Sequence, residues 1–107
     1  MTNEKALQII ESADVYDLAA AYSEYTSEEL NDPDSALYNV DELDEILYGL
    51  SPIDIMNKVF YGDYAPAADF ITFDGYGNFE SVDARNVVEF VTFRLDRDDI
   101  KAVAAML

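Results

Sequence analysis

The sequence contains no cysteine, no histidine and no tryptophan. Disulfide bonds, zinc sites built from thiolate or imidazole ligands, haem ligation by histidine and nucleophiles activated by histidine are therefore excluded. Most enzyme templates depend on one of these groups. We therefore expect a protein that is not an enzyme and that uses neither a cofactor nor a metal ion.

Positive charge is the next scarce property. Six basic residues stand against 23 acidic ones, which gives a formal net charge of −17 over 107 residues. Such a charge repels phosphate, so we expect no direct binding to nucleic acid or to an anionic membrane, and we expect partners with basic surfaces. No apolar run reaches the length of a signal peptide or a membrane span, which predicts a soluble cytoplasmic protein.

The few basic residues are unevenly placed. Residues 6–57 contain no lysine or arginine, whereas residues 83–107 are nearly neutral. The acidic residues of the first stretch are Glu11, Asp14, Asp17, Glu24, Glu28, Glu29, Asp32, Asp34, Asp41, Glu42, Asp44, Glu45 and Asp54. The first half of the chain therefore presents a surface of one sign.

Capping residues followed by apolar residues at helical spacing predict several short helices. The predicted starts are Thr2, Asp14, Asn39 with Glu42, Ser51 with Pro52, and Asp96; Thr26-Ser27-Glu28-Glu29 predicts one further turn. In the helix after Ser51 we expect Ile55, Met56, Val59 and Phe60 to pack inward. Gly49 and Gly62 are expected to end the two central helices.

A change to strand spacing marks the middle of the chain. The β-prone runs 70–73 and 79–82 flank Asp74-Gly75-Tyr76-Gly77-Asn78, which predicts a hairpin. The stretch could be a binding loop that displays Tyr64 and Tyr76, but a fold-defining turn is favoured. Residues 84–92 fit a helix or a third strand, and we favour the helix. The sequence thus predicts one acidic α+β domain over residues 1–107, with short helices on a small antiparallel hairpin or three-stranded sheet.

Two acidic loops contain side chains that could bind a cation. The loop that begins at Asp32 lacks the ligand and the glycine that a calcium-binding EF-hand needs after Ser35. Asp74 and Asn78 are better explained by turn chemistry. An irregular divalent-ion site stays open.

The carboxylates around Leu43 suggest a function. Like charges one turn apart cost a helix roughly 0.2–0.5 kcal/mol per pair, so local stability does not explain them. Their spacing of about 5–6 Å is similar in scale to that of successive phosphates along a nucleic-acid strand. The functional interpretation of this pattern is a nucleic-acid mimic, and the alternative is an acidic surface that serves only solubility. The candidate partner-binding residues are Glu28, Glu29, Asp32, Asp34, Asp41, Glu42, Asp44, Glu45, Tyr48, Tyr64 and Tyr76.

The stretches 53–66 and 70–79 resemble small acidic proteins of phages and mobile elements. That resemblance implies a setting in which antirestriction and anti-CRISPR proteins act as acidic DNA mimics. We therefore expect a non-enzymatic inhibitor that binds the basic nucleic-acid-binding surface of a host defence nuclease or nuclease complex. The alternative is a small phage accessory or assembly protein that binds a protein partner through an apolar patch.

Self-repulsion at a charge of −17 yields a first testable expectation. Added salt screens the repulsion, so the melting temperature at neutral pH should rise between low and moderate salt concentration. A thermal melt followed by circular dichroism measures this directly. A melting temperature that stays constant would show that the carboxylates are not densely clustered.

Overall fold

The computed structural model describes the backbone of residues 1–107 and every side chain except that of Asp41. In chain order, the elements are α1 (Asn3–Ser12), α2 (Val15–Thr26), α3 (Val40–Tyr48), α4 (Pro52–Tyr61), a 3₁₀ helix (Ala65–Phe70), β1 (Ile71–Phe73), β2 (Phe79–Val82), α5 (Ala84–Arg94) and α6 (Arg97–Ala105). The predicted α+β class is confirmed, and the described sheet has two antiparallel strands.

The backbone packs into two compact units. Residues 1–28 and 84–107 form the first, called the four-helix unit because it contains α1, α2, α5 and α6. Residues 29–83 form the second, called the hairpin unit, with α3, α4, the 3₁₀ helix and both strands. A single domain was expected from the length of the chain, and that expectation stays a prediction.

In the four-helix unit, α1 packs on α6, and α2 packs on α5 and α6. Apolar side chains at one-turn spacings supply its core, which contains Ala6, Ile10, Leu18, Ala19, Tyr22, Val87, Val91, Val103 and Ala104. Three predicted helix starts are confirmed here. Thr2, Asp14 and Asp96 each accept hydrogen bonds from backbone N–H groups of the first turn.

Helix α5 confirms the favoured prediction for residues 84–92. Its β-branched residues do not prevent a helix, because Val87 and Val91 lie one turn apart and are both fully buried. The Phe90 ring meets Tyr22 edge to face at 5.7 Å, and the Arg94 guanidinium lies 4.0 Å from the Phe90 ring centroid. Tertiary packing therefore outweighs the weak strand preference of these residues.

A single turn lies around Leu30 as predicted, with the Asp32 N–H donating to the Glu29 carbonyl at 3.2 Å, but the predicted capping box does not start a helix at Thr26. Helix α2 ends at Thr26, and Ser27 takes a left-handed conformation with φ 64°. The Thr26 hydroxyl donates to the Tyr22 carbonyl at 2.8 Å, so it satisfies a backbone acceptor at the end of a helix. The same residue types that start a helix therefore end one here.

In the hairpin unit, α3 packs on β2 and α4 packs on the 3₁₀ helix. The core of the unit contains Leu37, Val40, Leu43, Leu47, Ile55, Val59, Ala67, Phe70, Ile71, Phe79 and Val82. Helix α4 begins as predicted, with the Ser51 hydroxyl accepting from the Asp54 N–H and Pro52 in the first turn, and it ends at Gly62.

The predicted inward face of α4 is half wrong. Ile55 and Val59 are buried, but Met56 is 51% exposed and Phe60 is 53% exposed. Ile53, on the same side as Met56 and Phe60, is 68% exposed. The helix is apolar over a wider arc than its neighbours in the hairpin unit cover.

Helix α3 starts after Asn39, as predicted, but its N-terminus lacks the predicted capping hydrogen bonds. Asn39 adopts a left-handed conformation with φ 43°, and its side chain makes no capping hydrogen bond to the backbone. Its amide donates instead to the Glu42 carboxylate. The predicted reciprocal capping box is therefore wrong, because both side chains bond to each other.

The hairpin pairs Ile71 with Val82 and Phe73 with Phe79, with a bulge between Thr72 and Phe73. One Asp74 carboxylate oxygen accepts from the N–H groups of Tyr76 at 2.8 Å and Asn78 at 3.0 Å. These backbone bonds, that of Asn78 first, hold the pKa of Asp74 below its ordinary value. Turn chemistry thus accounts for Asp74, as predicted.

The two turn glycines provide a matched test. Gly77 has φ 80°, a conformation that costs other L-residues about 1–2 kcal/mol, whereas Gly75 is not left-handed. A Cβ added at either position meets nothing within 4 Å. We expect Gly77→Ala to lower the free energy of unfolding by about 1–2 kcal/mol and Gly75→Ala to leave it nearly unchanged. Urea denaturation of both variants checks this, and equal losses would contradict the assigned turn.

Candidate functional site

An ordered acidic loop precedes α3. The Asp32 carboxylate accepts from the Asp34 N–H at 3.0 Å, and the Ser35 N–H donates to the Asp32 carbonyl at 2.9 Å. Leu37 is fully buried and anchors the loop. Glu29, Asp32 and Asp34 remain exposed, so the loop holds three of the candidate carboxylates at the surface.

Helix α3 carries the central carboxylates. Val40, Leu43 and Leu47 are buried on one face, which turns Glu42 and Glu45 to the exposed side. These two lie three residues apart, about 5–6 Å between Cβ atoms in a helix. Asp44 is half-buried at the margin of the buried face. The side chain of Asp41 lies outside the described residues.

Glu28 belongs to the four-helix unit, not to the hairpin unit. Its carboxylate lies 3.6 Å from the Arg94 guanidinium, and its side chain is 34% exposed. This ion pair compensates part of its charge. Glu28 therefore differs from the other predicted carboxylates in its surroundings.

Tyr48, at the end of α3, has a structural contact as well as an exposed ring. Its hydroxyl donates to the Glu80 carbonyl, and its ring meets Phe79 edge to face at 5.0 Å. The residue is still 63% exposed. It thus joins α3 to β2 and leaves aromatic surface beside the α3 carboxylates.

Tyr64 lies in an aromatic pair that the sequence did not predict. Its ring stacks on Tyr38 with a centroid separation of 5.8 Å, and Lys58 Nζ lies 6.0 Å from the Tyr64 centroid. Burial raises the pKa of Tyr64 above its ordinary value, and negative charge on Tyr38, Asp63 and Glu42 raises it further. Tyr64 is thus partly buried among acidic groups, whereas Tyr76 stands at the hairpin tip, 91% exposed.

The charge of the hairpin unit is almost entirely negative. Residues 29–83 contain 13 acidic side chains and one basic side chain, that of Lys58. Within the described residues, no group of three or more carboxylates is placed so that it could hold a metal ion. None of the described helices combines the length and apolar character needed to cross a lipid bilayer. What this surface offers chemically is exposed negative charge interleaved with tyrosine.

A second surface was missed by the sequence interpretation. Ile53, Met56 and Phe60 form an exposed row on α4, and the Phe60 ring stacks on Phe73 at 6.1 Å. The available signal was the excess of apolar residues in α4 over what one buried face needs. Assigning Met56 and Phe60 to the core hid that excess.

Comparison with protein-family models, with curated protein sequences and with solved structures gave no match to this chain.

The raised pKa of Tyr64 has a measurable consequence. On raising the pH, the Tyr64 phenol ionises in the unfolded chain before it ionises in the folded protein. The stability that the neutral phenol contributes is therefore fully present below about pH 10 and is lost as the pH rises through the pKa of the folded state. Wild type should therefore lose more free energy of unfolding than Tyr64→Phe between pH 9 and pH 11. Urea denaturation at both pH values measures the difference.

Tyr76→Phe is the matched control, since the Tyr76 side chain is almost fully exposed. It should follow the pH dependence of wild type. If Tyr64→Phe also follows wild type, the pKa of Tyr64 is not raised in the folded protein.

Proposed function

We propose that this protein is a non-enzymatic nucleic-acid mimic that inhibits a host defence nuclease of the kind targeted by anti-CRISPR or antirestriction proteins. The carboxylates of residues 29–45 occupy the basic groove in which the nuclease would hold DNA or RNA. Inhibition follows from occupancy, so the protein itself needs no catalytic group.

The observation that carries the proposal is the one-signed hairpin unit, with its exposed Glu29, Asp32, Asp34, Glu42 and Glu45 and its lone Lys58. Long-range attraction between such a surface and a basic groove accelerates encounter, and counterions are released on contact as they are from DNA. Like charges on α3 oppose helix stability, and a cationic partner would compensate them.

Two tyrosines add to this surface. The hairpin unit holds Tyr48 and Tyr64 together with the carboxylates. The Tyr64 ring is fixed by its stack on Tyr38, and the Tyr48 ring is fixed by its edge-to-face contact with Phe79. A fixed, partly exposed tyrosine contributes contact area at low entropic cost, which is typical of the residues that dominate protein interfaces. Tyr48 and Tyr64 would therefore add specificity to an attraction that is otherwise electrostatic.

The test is affinity capture from a bacterial lysate with wild type, Glu42→Lys/Glu45→Lys and Glu4→Lys/Glu11→Lys as baits. Both variants change the net charge equally, but Glu4 and Glu11 lie on α1 in the four-helix unit. Wild type should retain a basic nuclease or nuclease complex that is eluted by salt and by duplex DNA or guide RNA. The α3 variant should lose it, and the α1 variant should retain it.

Once the nuclease is purified, its affinity is measured as a function of salt. Each phosphate-like contact contributes roughly 0.9 to the slope of log affinity against log salt, so removing two should reduce the slope by about 2. Equal loss in both variants would mean that only net charge matters. A partner insensitive to salt and nucleic acid would contradict mimicry.

A second candidate function is supported by a separate observation. The exposed row Ile53, Met56 and Phe60 on α4 suits an accessory or assembly protein that binds its partner through apolar contact. Binding through apolar contact alone responds little to salt or to competing nucleic acid. The same capture experiment therefore distinguishes the two functions.

A further inference from the structure

Several neighbouring apolar side chains of α4 are exposed together. Ile53 is 68% exposed, Met56 51% and Phe60 53%, and Phe60 continues onto β1 through its stack with Phe73. These four residues are called the α4 stripe. Isolated apolar side chains on a surface need no explanation, but a contiguous row indicates contact with a partner.

The geometry of the helix makes the row continuous. With about 100° between successive residues, positions 53, 56 and 60 fall within an arc of roughly 60°. Ile55 and Val59 are buried and lie on a different side of the helix. Helix α4 therefore has two apolar faces, one covered within the hairpin unit and one exposed.

The charges around the stripe decide what can cover it. Asp74 follows Phe73 and is exposed, and exposed Asp54 lies on the side of α4 away from the stripe. Lys58, the one basic residue of the hairpin unit, lies about half a turn away and points to the Tyr64 ring. A second copy of this chain would bring two strongly acidic surfaces together, whereas a cationic partner would be attracted.

We propose that the α4 stripe docks a cationic amphipathic helix of a protein partner. The exposed row runs along most of α4, about 15 Å for ten residues, which suits the apolar row of a second helix packed at 8–10 Å. Lysine or arginine in that helix would be attracted by the hairpin unit as a whole, which carries 13 acidic side chains and one basic side chain. This inference rests on the second candidate function, whose surface it shares, and it is independent of mimicry because it needs no phosphate-like spacing.

The test uses an 18-residue peptide with leucines on one helical face and lysines on the other. Two comparison peptides are a scrambled sequence of the same composition and a version with glutamate in place of lysine. Affinity for the full chain is measured by fluorescence anisotropy. Methyl chemical shifts of Ile53 and Met56 report where the peptide binds.

We expect Ile53→Ser/Met56→Ser to weaken the leucine–lysine helix by at least about tenfold, because two apolar contacts are lost. Phe93→Ser is the control, since it removes an apolar side chain that is 91% exposed in the four-helix unit. It should leave the affinity unchanged. The scrambled peptide should bind wild type and the double variant equally, and the glutamate peptide should bind neither.

The proposal is overturned if the double variant binds the leucine–lysine helix as tightly as wild type does, or if the two methyl groups do not shift. Self-association of wild type that Ile53→Ser/Met56→Ser abolishes, measured by analytical ultracentrifugation, would also overturn it in favour of a second copy. Both substitutions leave the α3 carboxylates unchanged. Failure here is therefore distinguishable from failure of nuclease capture.

Discussion

Repulsion between carboxylates is the constraint under which the hairpin unit is built. Its 13 acidic side chains face one lysine, so ion pairs cannot balance the charge. The unit is held instead by apolar side chains that pack between α3, α4 and the hairpin, such as Leu43, Leu47 and Phe79. Cohesion comes from burial, and charge is left at the surface.

Backbone amides take over part of the role that basic side chains play elsewhere. Asp14 and Asp96 accept from N–H groups at the starts of α2 and α6, and Asp74 accepts from two N–H groups of the hairpin turn. The positive end of a helix and the amides of a turn both favour a carboxylate. These aspartates serve the fold, whereas Glu42 and Glu45 remain directed to solvent.

Local signals in the sequence predicted most of the elements. Thr2, Asp14, Ser51 and Asp96 were placed correctly because a cap involves residues only two or three positions apart. The hairpin was predicted for the same reason, since its turn residues are contiguous. The stretch from Thr26 misled because the same short polar side chains bond to carbonyls at a helix end as readily as to amides at a start.

What the sequence could not predict depends on distant neighbours. Residues of α4 could face the core in two ways, and packing within the hairpin unit, including that of the 3₁₀ helix on α4, leaves Ile55 and Val59 buried and Met56 exposed. The Tyr38–Tyr64 stack joins residues far apart in the chain, and no local pattern marks it. The exposed carboxylates were predictable because their placement follows from the α3 apolar face alone.

The division of the chain also bears on how it folds during synthesis. Helices α1 and α2 leave the ribosome before residues 29–83, and their packing partners α5 and α6 are made only after those residues. The hairpin unit is contiguous and has its partners at hand as soon as it emerges. The apolar faces of nascent α1 and α2 therefore stay uncovered until α5 and α6 have been made. Folding intermediates with such exposed apolar surface tend to aggregate or to bind chaperones.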